Sequence, residues 1–402
     1  MSPRIGLAGG NPQNKNVLAG GNPQNISLYV HWPYCTRICP YCDFNVYKNK
    51  GDNQAALVAA ILDDMRYGRD KYGPRRLAGL HFGGGTPSLL TAKNLGLIID
   101  LAVKLWSTAQ DIEIGLEANP NDITEAVLRG WCQAGIERVS IGVQSFDTDA
   151  LLFLGRDHDA QQAQIALKQA VDIIPRVSAD LIYGRIGQSA RDWARDLRTA
   201  IDTGVGHISA YQLTIEKSTA FGRAELRGNL KAVDDDQSAD LYETGIEILS
   251  SAGFNGYEVS NFAKTKGQRS RHNLAYWTGA DYLGLGPGAH GRMTYNGERT
   301  ATICALKPQD YIDHIQKFGH GVAKQEILNG QSWGQEYLLM GLRISAGISL
   351  SKFEDITGRP LNPDTIELYV KAKLLKHKND RLAATPKGRL VLDRLSHELL
   401  LG

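Results

Sequence analysis

Short β-prone runs alternate with longer amphipathic runs from residue 27 onward, and this alternation limits the fold of the 402-residue chain more than any other feature. Apolar residues at three- and four-residue spacing predict helices over Ala55–Tyr67, Ala92–Trp106, Glu125–Cys132, Gln161–Ile173 and Trp193–Ile201. The β-prone runs predict strands at Ser27–His31, Leu80–Phe82, Ile112–Leu116, Val139–Gly142, Val177–Ile182 and His207–Leu213. Strands separated by helices form parallel sheets. Six such units predict an α/β fold, a partial (β/α)6 TIM-like barrel rather than a closed eight-stranded one.

Two changes in composition divide the chain. The sequence Leu7–Asn14 recurs unchanged as Leu18–Asn25, and this Gly- and Asn-rich segment has too few large apolar residues to offset the entropy of ordering it. We therefore expect a flexible tail over residues 1–25. Near residue 265 a basic stretch precedes an aromatic- and glycine-rich block and mostly helical patterns. We expect a barrel domain at 26–265 and a mostly helical, winged-helix-like domain at 266–402.

Three cysteines lie together as Cys35-Thr-Arg-Ile-Cys39-Pro-Tyr-Cys42. This spacing suits a 4Fe-4S cluster held by three thiolates, with one iron left open to a small molecule. A structural zinc site, with His31 as fourth ligand, is the alternative, but zinc ligands usually come as two separated pairs. A disulfide is disfavoured by the odd total of five cysteines and by the lack of a secretory leader.

Other chemically useful residues follow the predicted strands. A glycine loop, Gly83-Gly-Gly-Thr-Pro-Ser88, follows the second strand, Glu117 follows the third and Gln144 the fourth, while Asp180 lies in the fifth. Barrel enzymes of this type place their chemistry in the loops after the strands. The sequence therefore predicts one site at the carboxyl ends of the strands.

With these motifs the chain resembles the radical S-adenosylmethionine (SAM) superfamily over residues 27 to about 260. The resemblance implies that Cys35, Cys39 and Cys42 hold a 4Fe-4S cluster whose open iron is chelated by the amino and carboxylate groups of SAM. It implies that an electron from the cluster breaks the sulfur–carbon bond of SAM to give a 5′-deoxyadenosyl radical. It also implies SAM contacts at Tyr29, Gly84, Gly85, Thr86, Glu117, Gln144, Arg156 and Asp180.

Within the superfamily, the segments Val30–Cys35, Asp180–Gly184 and Ser209–Leu213 are similar to the group that contains oxygen-independent coproporphyrinogen III oxidase and the HemW heme chaperones. Phe44 stands where the oxidase has a further cysteine, and His272-Asn-Leu-Ala-Tyr-Trp277 matches a chaperone signature.

This resemblance implies that the chain binds heme, with His272 as the iron ligand and His290 as a second candidate. It implies that heme passes to an apoprotein of the respiratory chain. The alternative is a coproporphyrinogen III oxidase or another radical SAM enzyme that acts on a tetrapyrrole.

The chain departs from the family after the fifth strand. Arg185 and Ile186 stand where the family usually has Leu and Pro. Since proline fixes one backbone dihedral, we expect this loop to be looser than in the family.

The composition of the chain limits the kinds of partner that it can bind. A formal net charge of +2 gives no global field to attract nucleic acid or an anionic membrane. The basic residues between 371 and 389 are therefore predicted to form a solvated face rather than a phosphate track, so we expect no nucleic-acid partner. No apolar run approaches the roughly 20 residues that span a bilayer. We expect a cytoplasmic protein with no transmembrane segment, for which peripheral association is the only membrane contact left open.

Overall fold

The computed structural model describes residues 24–48 and 54–401, so most of the predicted tail lies outside the described residues. The strands are β1 (Asn25–Trp32), β2 (Tyr34–Cys35), β3 (Tyr47–Lys48), β4 (Arg76–Gly84), β5 (Ser107–Ala118), β6 (Arg138–Gln144), β7 (Arg176–Tyr183), β8 (His207–Gln212), β9 (Asn255–Gly256), β10 (Asn261–Ala263), β11 (Tyr282–Leu285), β12 (His290–Tyr295), β13 (Glu298–Cys304), β14 (Val322–Leu328), β15 (Ile348–Ser349), β16 (Leu375–Lys378) and β17 (Arg381–Ala384).

The α-helices alternate with these strands in the first half of the chain and dominate its end. They are α1 (Gln54–Tyr72), α2 (Ala92–Leu105), α3 (Glu125–Ala134), α4 (Thr148–Phe153), α5 (Ala160–Ile173), α6 (Ala190–Asp202), α7 (Ala220–Leu226), α8 (Asp235–Ser251), α9 (Arg271–Trp277), α10 (Pro308–Phe318), α11 (Gly330–Gly341), α12 (Leu350–Thr357), α13 (Pro363–Lys371), α14 (Pro386–Arg389) and α15 (Leu392–Leu401).

The predicted partial barrel is confirmed. Strands β1, β4, β5, β6, β7 and β8 lie side by side in that order and are all parallel. The sheet continues at both edges: β11 pairs parallel with β1 and leads into antiparallel β12, β13 and β14, while β10 and β9 follow β8. The described sheet is open, with β14 and β9 at its edges. The strands between residues 282 and 328 were not predicted from the sequence.

The inward face of this sheet is polar, and we call the space that it encloses the bore. Tyr29, His81, Gly115 and Arg138 are neighbours in register across four strands and so share one face. The alternate positions are apolar and buried against the helices, among them Leu28, Val30, Leu80, Phe82, Leu116 and Val139. Each such side chain contributes about 1.5–3 kcal/mol by burial. The core therefore lies outside the sheet, which leaves the bore free for polar side chains.

A second hydrophobic core forms after the sheet ends. It runs from Tyr337 to Leu399 and joins α11–α15 with a three-stranded sheet of order β15–β17–β16. The first core still includes Leu283 and Ile315, so the change from one core to the other falls near residue 330, whereas the sequence-based domain boundary is proposed near 265. Helix α9 lies between the two cores, where the Arg343 guanidinium stacks 4.6 Å from the Trp277 ring centroid.

Candidate functional site

The carboxyl ends of the parallel strands surround a cavity of about 480 Å³, which we call the cofactor cleft. All the residues predicted to hold the cluster or to contact SAM line it, except Tyr29: Cys35, Cys39, Cys42, Gly84, Gly85, Thr86, Glu117, Gln144, Arg156 and Asp180. Their convergence follows from the fold, because parallel strands bring the residues after their carboxyl ends to one edge.

The three cysteines enter the cleft on the loop after β2. Cys35 is buried and ends β2, whereas Cys39 and Cys42 are half-buried, and the Cys42 amide donates to the Cys39 carbonyl at 3.2 Å. Burial raises the pKa of the Cys35 thiol, and raises that of Cys42 to about 11. The thiols of Cys35 and Cys42 are therefore protonated at neutral pH.

His31 does not complete a zinc set. Its Nδ1 lies 3.0 Å from the Tyr29 hydroxyl and its Nε2 lies 3.0 Å from the Asn45 carbonyl, so both ring nitrogens are engaged. Within residues 24–48 and 54–401, no group of three or more Cys, His, Asp or Glu side chains is arranged to hold a single metal ion. A cubane differs from a single ion in placing each thiolate on a different iron.

The glycine loop packs backbone to backbone against the segment that leads into the cysteines. The Gly85 amide donates to the Trp32 carbonyl at 2.7 Å, and the Thr86 amide donates to the Tyr34 carbonyl at 2.9 Å. A Cβ at position 85 would lie 2.8 Å from the Tyr34 oxygen, and Gly84 has a φ of +108°. Both glycines are thus required by close approach or by the left-handed backbone.

Glu117 stands at the floor of the cleft. Its Oε2 accepts from the Gly84 amide at 3.2 Å, and its Oε1 lies 3.1 Å from Nε2 of His81. Desolvation alone would raise the pKa of Glu117, but the His81 hydrogen bond and the Gly84 amide outweigh it and hold the pKa below its usual value. The carboxylate is therefore ionised and can accept hydrogen bonds from a ligand.

Asp180 offers a second carboxyl group to the cleft. The Ser140 hydroxyl donates to both of its oxygens, at 2.9 and 2.8 Å, and the Ser178 hydroxyl donates at 3.1 Å. Desolvation raises the pKa of Asp180 to about 6 against these hydrogen bonds. The surroundings thus lower the pKa of Glu117 and raise that of Asp180.

Arg156 joins the cysteine loop to the strand ends. Its Nη1 donates to Cys39 Sγ at 3.3 Å, and its Nη2 donates to Asn119 Oδ1 at 2.6 Å and to the Gly142 carbonyl at 3.0 Å. Gln144 beside it has a φ of +68°, which non-glycine residues seldom adopt. A fixed guanidinium at this place is suited to a ligand carboxylate.

Tyr29 and the predicted heme ligand His272 lie below the cleft. Tyr29 points into the bore, and His272 lies in the first turn of α9 at the amino ends of the strands, where it lines a separate cavity of about 260 Å³. The amides of Arg271 and His272 donate to Glu113, at 3.1 and 3.0 Å. Desolvation lowers the pKa of His272 well below its usual value, so its imidazole is neutral. His290 is exposed at the start of β12.

The loop after β7 is held more tightly than we expected from the sequence. Arg185 is buried and donates to Ser145 Oγ at 2.8 Å and to Asp196 Oδ2 at 2.9 Å. The amides of Gly184 and Arg185 both donate to Gln188 Oε1. A buried ion pair therefore replaces the proline as the restraint on this loop.

Sequence reasoning missed several residues that line the cleft, among them Asn119, Ser140 and Tyr211, and it missed His81 beneath Glu117. The available signal was the alternation along β1, where Ser27, Tyr29 and His31 alternate with apolar residues and Tyr29 pairs with His81 of β4. A polar residue repeated at every second position of a strand in an otherwise apolar sheet indicates a polar interior.

None of the helices in residues 24–48 and 54–401 combines the length and apolarity needed to cross a bilayer.

Comparison with known proteins places these features in a family. The model of the radical SAM superfamily matches residues 29–200, and the model of the HemN C-terminal domain matches residues 334–391. The mitochondrial radical S-adenosyl methionine domain-containing protein 1 of Bos taurus is 38% identical over 328 residues, which cover 80% of this chain and 74% of that protein.

Heme chaperone HemW of Haemophilus influenzae is 34% identical over 379 residues, which cover 92% of this chain and 96% of that protein. The structure of coproporphyrinogen III oxidase (HemN) from Escherichia coli superposes with a TM-score of 0.78 at 21% identity, covering 94% of this chain and 90% of that one, and so shares the fold. Similarity at this level over almost the whole length means that the chain belongs to the radical SAM superfamily, within the family of the heme chaperone HemW.

Proposed function

We propose that this protein is a heme chaperone that carries a 4Fe-4S cluster with SAM and transfers bound heme to an acceptor protein. The observation that carries the cofactor part is the convergence of three thiols, a glycine loop and the carboxyl groups of Glu117 and Asp180 on one cleft of about 480 Å³. The heme part is supported by relatives that are named heme chaperone HemW.

The residues of the cleft fit the two cofactors. Cys35, Cys39 and Cys42 would ligate three irons and leave the fourth open to the amino and carboxylate groups of SAM. When bound, the cluster supplies one-electron reduction of SAM, a chemistry that belongs to the cofactor. Arg156 would donate to the ligand carboxylate, while Glu117 accepts from its amino or hydroxyl groups.

For the heme iron we propose His272 as ligand. No hydrogen bond joins its ring nitrogens to any residue in the described part of the chain, and its neutral imidazole is the form that binds iron. The cavity beside it, at about 260 Å³, falls below the roughly 300–1,000 Å³ of pockets for drug-sized ligands. We propose that heme reaches His272 when α9 moves away from the bore.

A heme titration tests this assignment. The wild-type protein is expected to bind heme with a shift of the Soret band, and His272→Ala is expected to weaken binding while iron and sulfide contents stay unchanged. His290→Ala is the matched variant, because His290 is the other candidate and is exposed. Loss of binding in His290→Ala alone would move the ligand there, and a wild-type protein without heme affinity would refute the chaperone.

The oxidase alternative is tested in the same preparation. Phe44, which stands in place of the further cysteine of the oxidase, lines the cofactor cleft and is 63% exposed. Anaerobic incubation of the reconstituted protein with reductant, SAM and coproporphyrinogen III is expected to give no decarboxylated product. Product formation with turnover would show that the protein is an oxidase and would refute the chaperone assignment.

The acceptor and the compartment are proposed on the family resemblance. We propose that heme passes to an apoprotein of the respiratory chain, and that the chain acts in the cytoplasm with at most peripheral membrane contact. Transfer of labelled heme from the loaded protein to such an apoprotein, with His272→Ala as control, tests the first point. Cell fractionation tests the second.

A further inference from the structure

Three aromatic rings are stacked in the bore directly beneath Glu117. The rings of His81 and His272 lie face to face, with centroids 3.8 Å apart and planes inclined by 10°. Tyr29 flanks both rings, with centroids 6.4 Å from His81 and 5.7 Å from His272. The stack connects α9, at the amino ends of the strands, with the floor of the cofactor cleft.

Among the described residues, the His81 ring has one hydrogen-bond partner, the Glu117 carboxylate above the stack. Because the Glu117 carboxylate is ionised, His81 donates from Nε2, and its buried Nδ1 finds no partner within residues 24–48 and 54–401. The neighbouring strand makes room for the ring, since a Cβ at Gly115 would lie 2.7 Å from His81 Nδ1. The bore is therefore shaped around one orientation of this imidazole.

His272 holds that orientation from below. Its ring covers a face of His81, so rotation of the His81 ring would break a close stacking contact. The backbone of His272 is itself fixed, because Glu113 accepts from its amide at 3.0 Å and pairs with Arg176 at 2.9 Å. Glu113 and Glu117 both belong to β5, so one strand anchors the base of the stack and carries the carboxylate at its top.

We propose that His81 and His272 are positioning residues for Glu117 in the SAM site: His81 fixes the carboxylate by its hydrogen bond, and His272 fixes His81 by stacking. This inference rests on the proposed binding of SAM in the cofactor cleft. It assigns to the ring face of His272 a task that is separate from iron ligation by its nitrogens.

Two pairs of variants test the proposal in anaerobically reconstituted protein. SAM affinity is measured by equilibrium dialysis, the reduced cluster is followed by EPR with and without SAM, and iron and sulfide analysis reports cluster content. His81→Leu is expected to lower SAM affinity about tenfold and to weaken the EPR response, since a hydrogen bond to a charged group is lost. His81→Gln keeps a donor at the Nε2 place and is expected to recover most of the affinity.

The second pair separates stacking from ligation. His272→Ala is expected to lower SAM affinity about threefold to tenfold, because the stacking face is lost. His272→Phe retains a flat ring and is expected to bind SAM like the wild type although it lacks imidazole nitrogens for heme. The proposal is overturned if His81→Leu binds SAM within twofold of the wild type at equal cluster content, or if His272→Phe loses as much as His272→Ala. A wild-type protein that binds no SAM would overturn the proposed cofactor site together with this inference.

Discussion

The two ends of the bore use the same strands for different purposes. At the carboxyl end a cavity of about 480 Å³ collects three thiols and the carboxyl groups of Glu117 and Asp180, whereas at the amino end a cavity of about 260 Å³ is lined in part by α9. Strand β5 serves both, with Glu117 at one end and Glu113 at the other. A parallel sheet with a polar inward face can therefore hold a site at each end.

The ends also differ in how they are held. The carboxyl end is fixed by backbone hydrogen bonds between the glycine loop and the segment before Cys35, and by the buried pair of Arg185 and Asp196. The amino end is bordered by α9, a helix of seven residues whose first turn is capped by Ser270. We therefore expect a preformed cofactor end and a heme end that must open.

The largest expected effect is the loss of the cluster at the carboxyl end with no change at the amino end. Cys39→Ala is expected to abolish the visible absorbance of the cluster, because two thiolates remain where three are needed, while heme binding at the amino end persists. The matched control is Cys132→Ala, whose thiol lies on α3 and contacts the Ile173 carbonyl away from the cleft. Retention of a full cluster in Cys39→Ala, by iron and sulfide analysis, would contradict the assigned ligands.

The second prediction concerns the buried ion pair of Arg185 and Asp196. Arg185→Ala is expected to lower the free energy of unfolding by about 3–5 kcal/mol, because it leaves the Asp196 carboxylate buried without its partner. Arg129→Ala breaks an exposed pair with Glu125 and is expected to cost less than about 1 kcal/mol. Urea titrations measure both, and equal losses would refute a rigid loop after β7.

The third prediction concerns the glycine loop. Gly85→Ala is expected to cost about 1–3 kcal/mol and to weaken SAM binding, because the new methyl group must displace the Tyr34 carbonyl. Gly96→Ala, on α2 with nothing within 4 Å of the added Cβ, is expected to stabilise the protein by up to ~1 kcal/mol. If Gly85→Ala bound SAM with unchanged affinity, the close packing of this loop would not be needed for the SAM site.

The smallest effect concerns the opening of the amino end. Ser270→Ala removes the N-cap of α9 and is expected to cost about 1 kcal/mol, which corresponds to about fivefold more of the opened state and faster heme association. Thr91→Ala removes the equivalent cap of α2 and is expected to lower stability without changing heme association. Stopped-flow mixing with heme distinguishes the two, and equal rates would show that α9 does not gate the site.

The fold and the cofactor cleft follow from the sequence because both depend on local patterns. Apolar alternation sets the strands, and parallel strands bring the cysteines, Gly85 and Glu117 to one edge whatever the details of packing. The amino end could not be predicted in this way. The position of His272 depends on how α9 docks into the bore, and the partner of Arg185 lies eleven residues away on α6, so both are set by tertiary contacts.

We propose above all that three thiolates hold a 4Fe-4S cluster with one open iron in the cofactor cleft. Anaerobic EPR of the reduced, reconstituted protein with and without SAM tests it most directly. A cluster signal whose g values change when SAM is added, in wild-type protein and not in Cys39→Ala, is the predicted result. A signal that SAM leaves unchanged, or bound zinc without sulfide, would contradict the account.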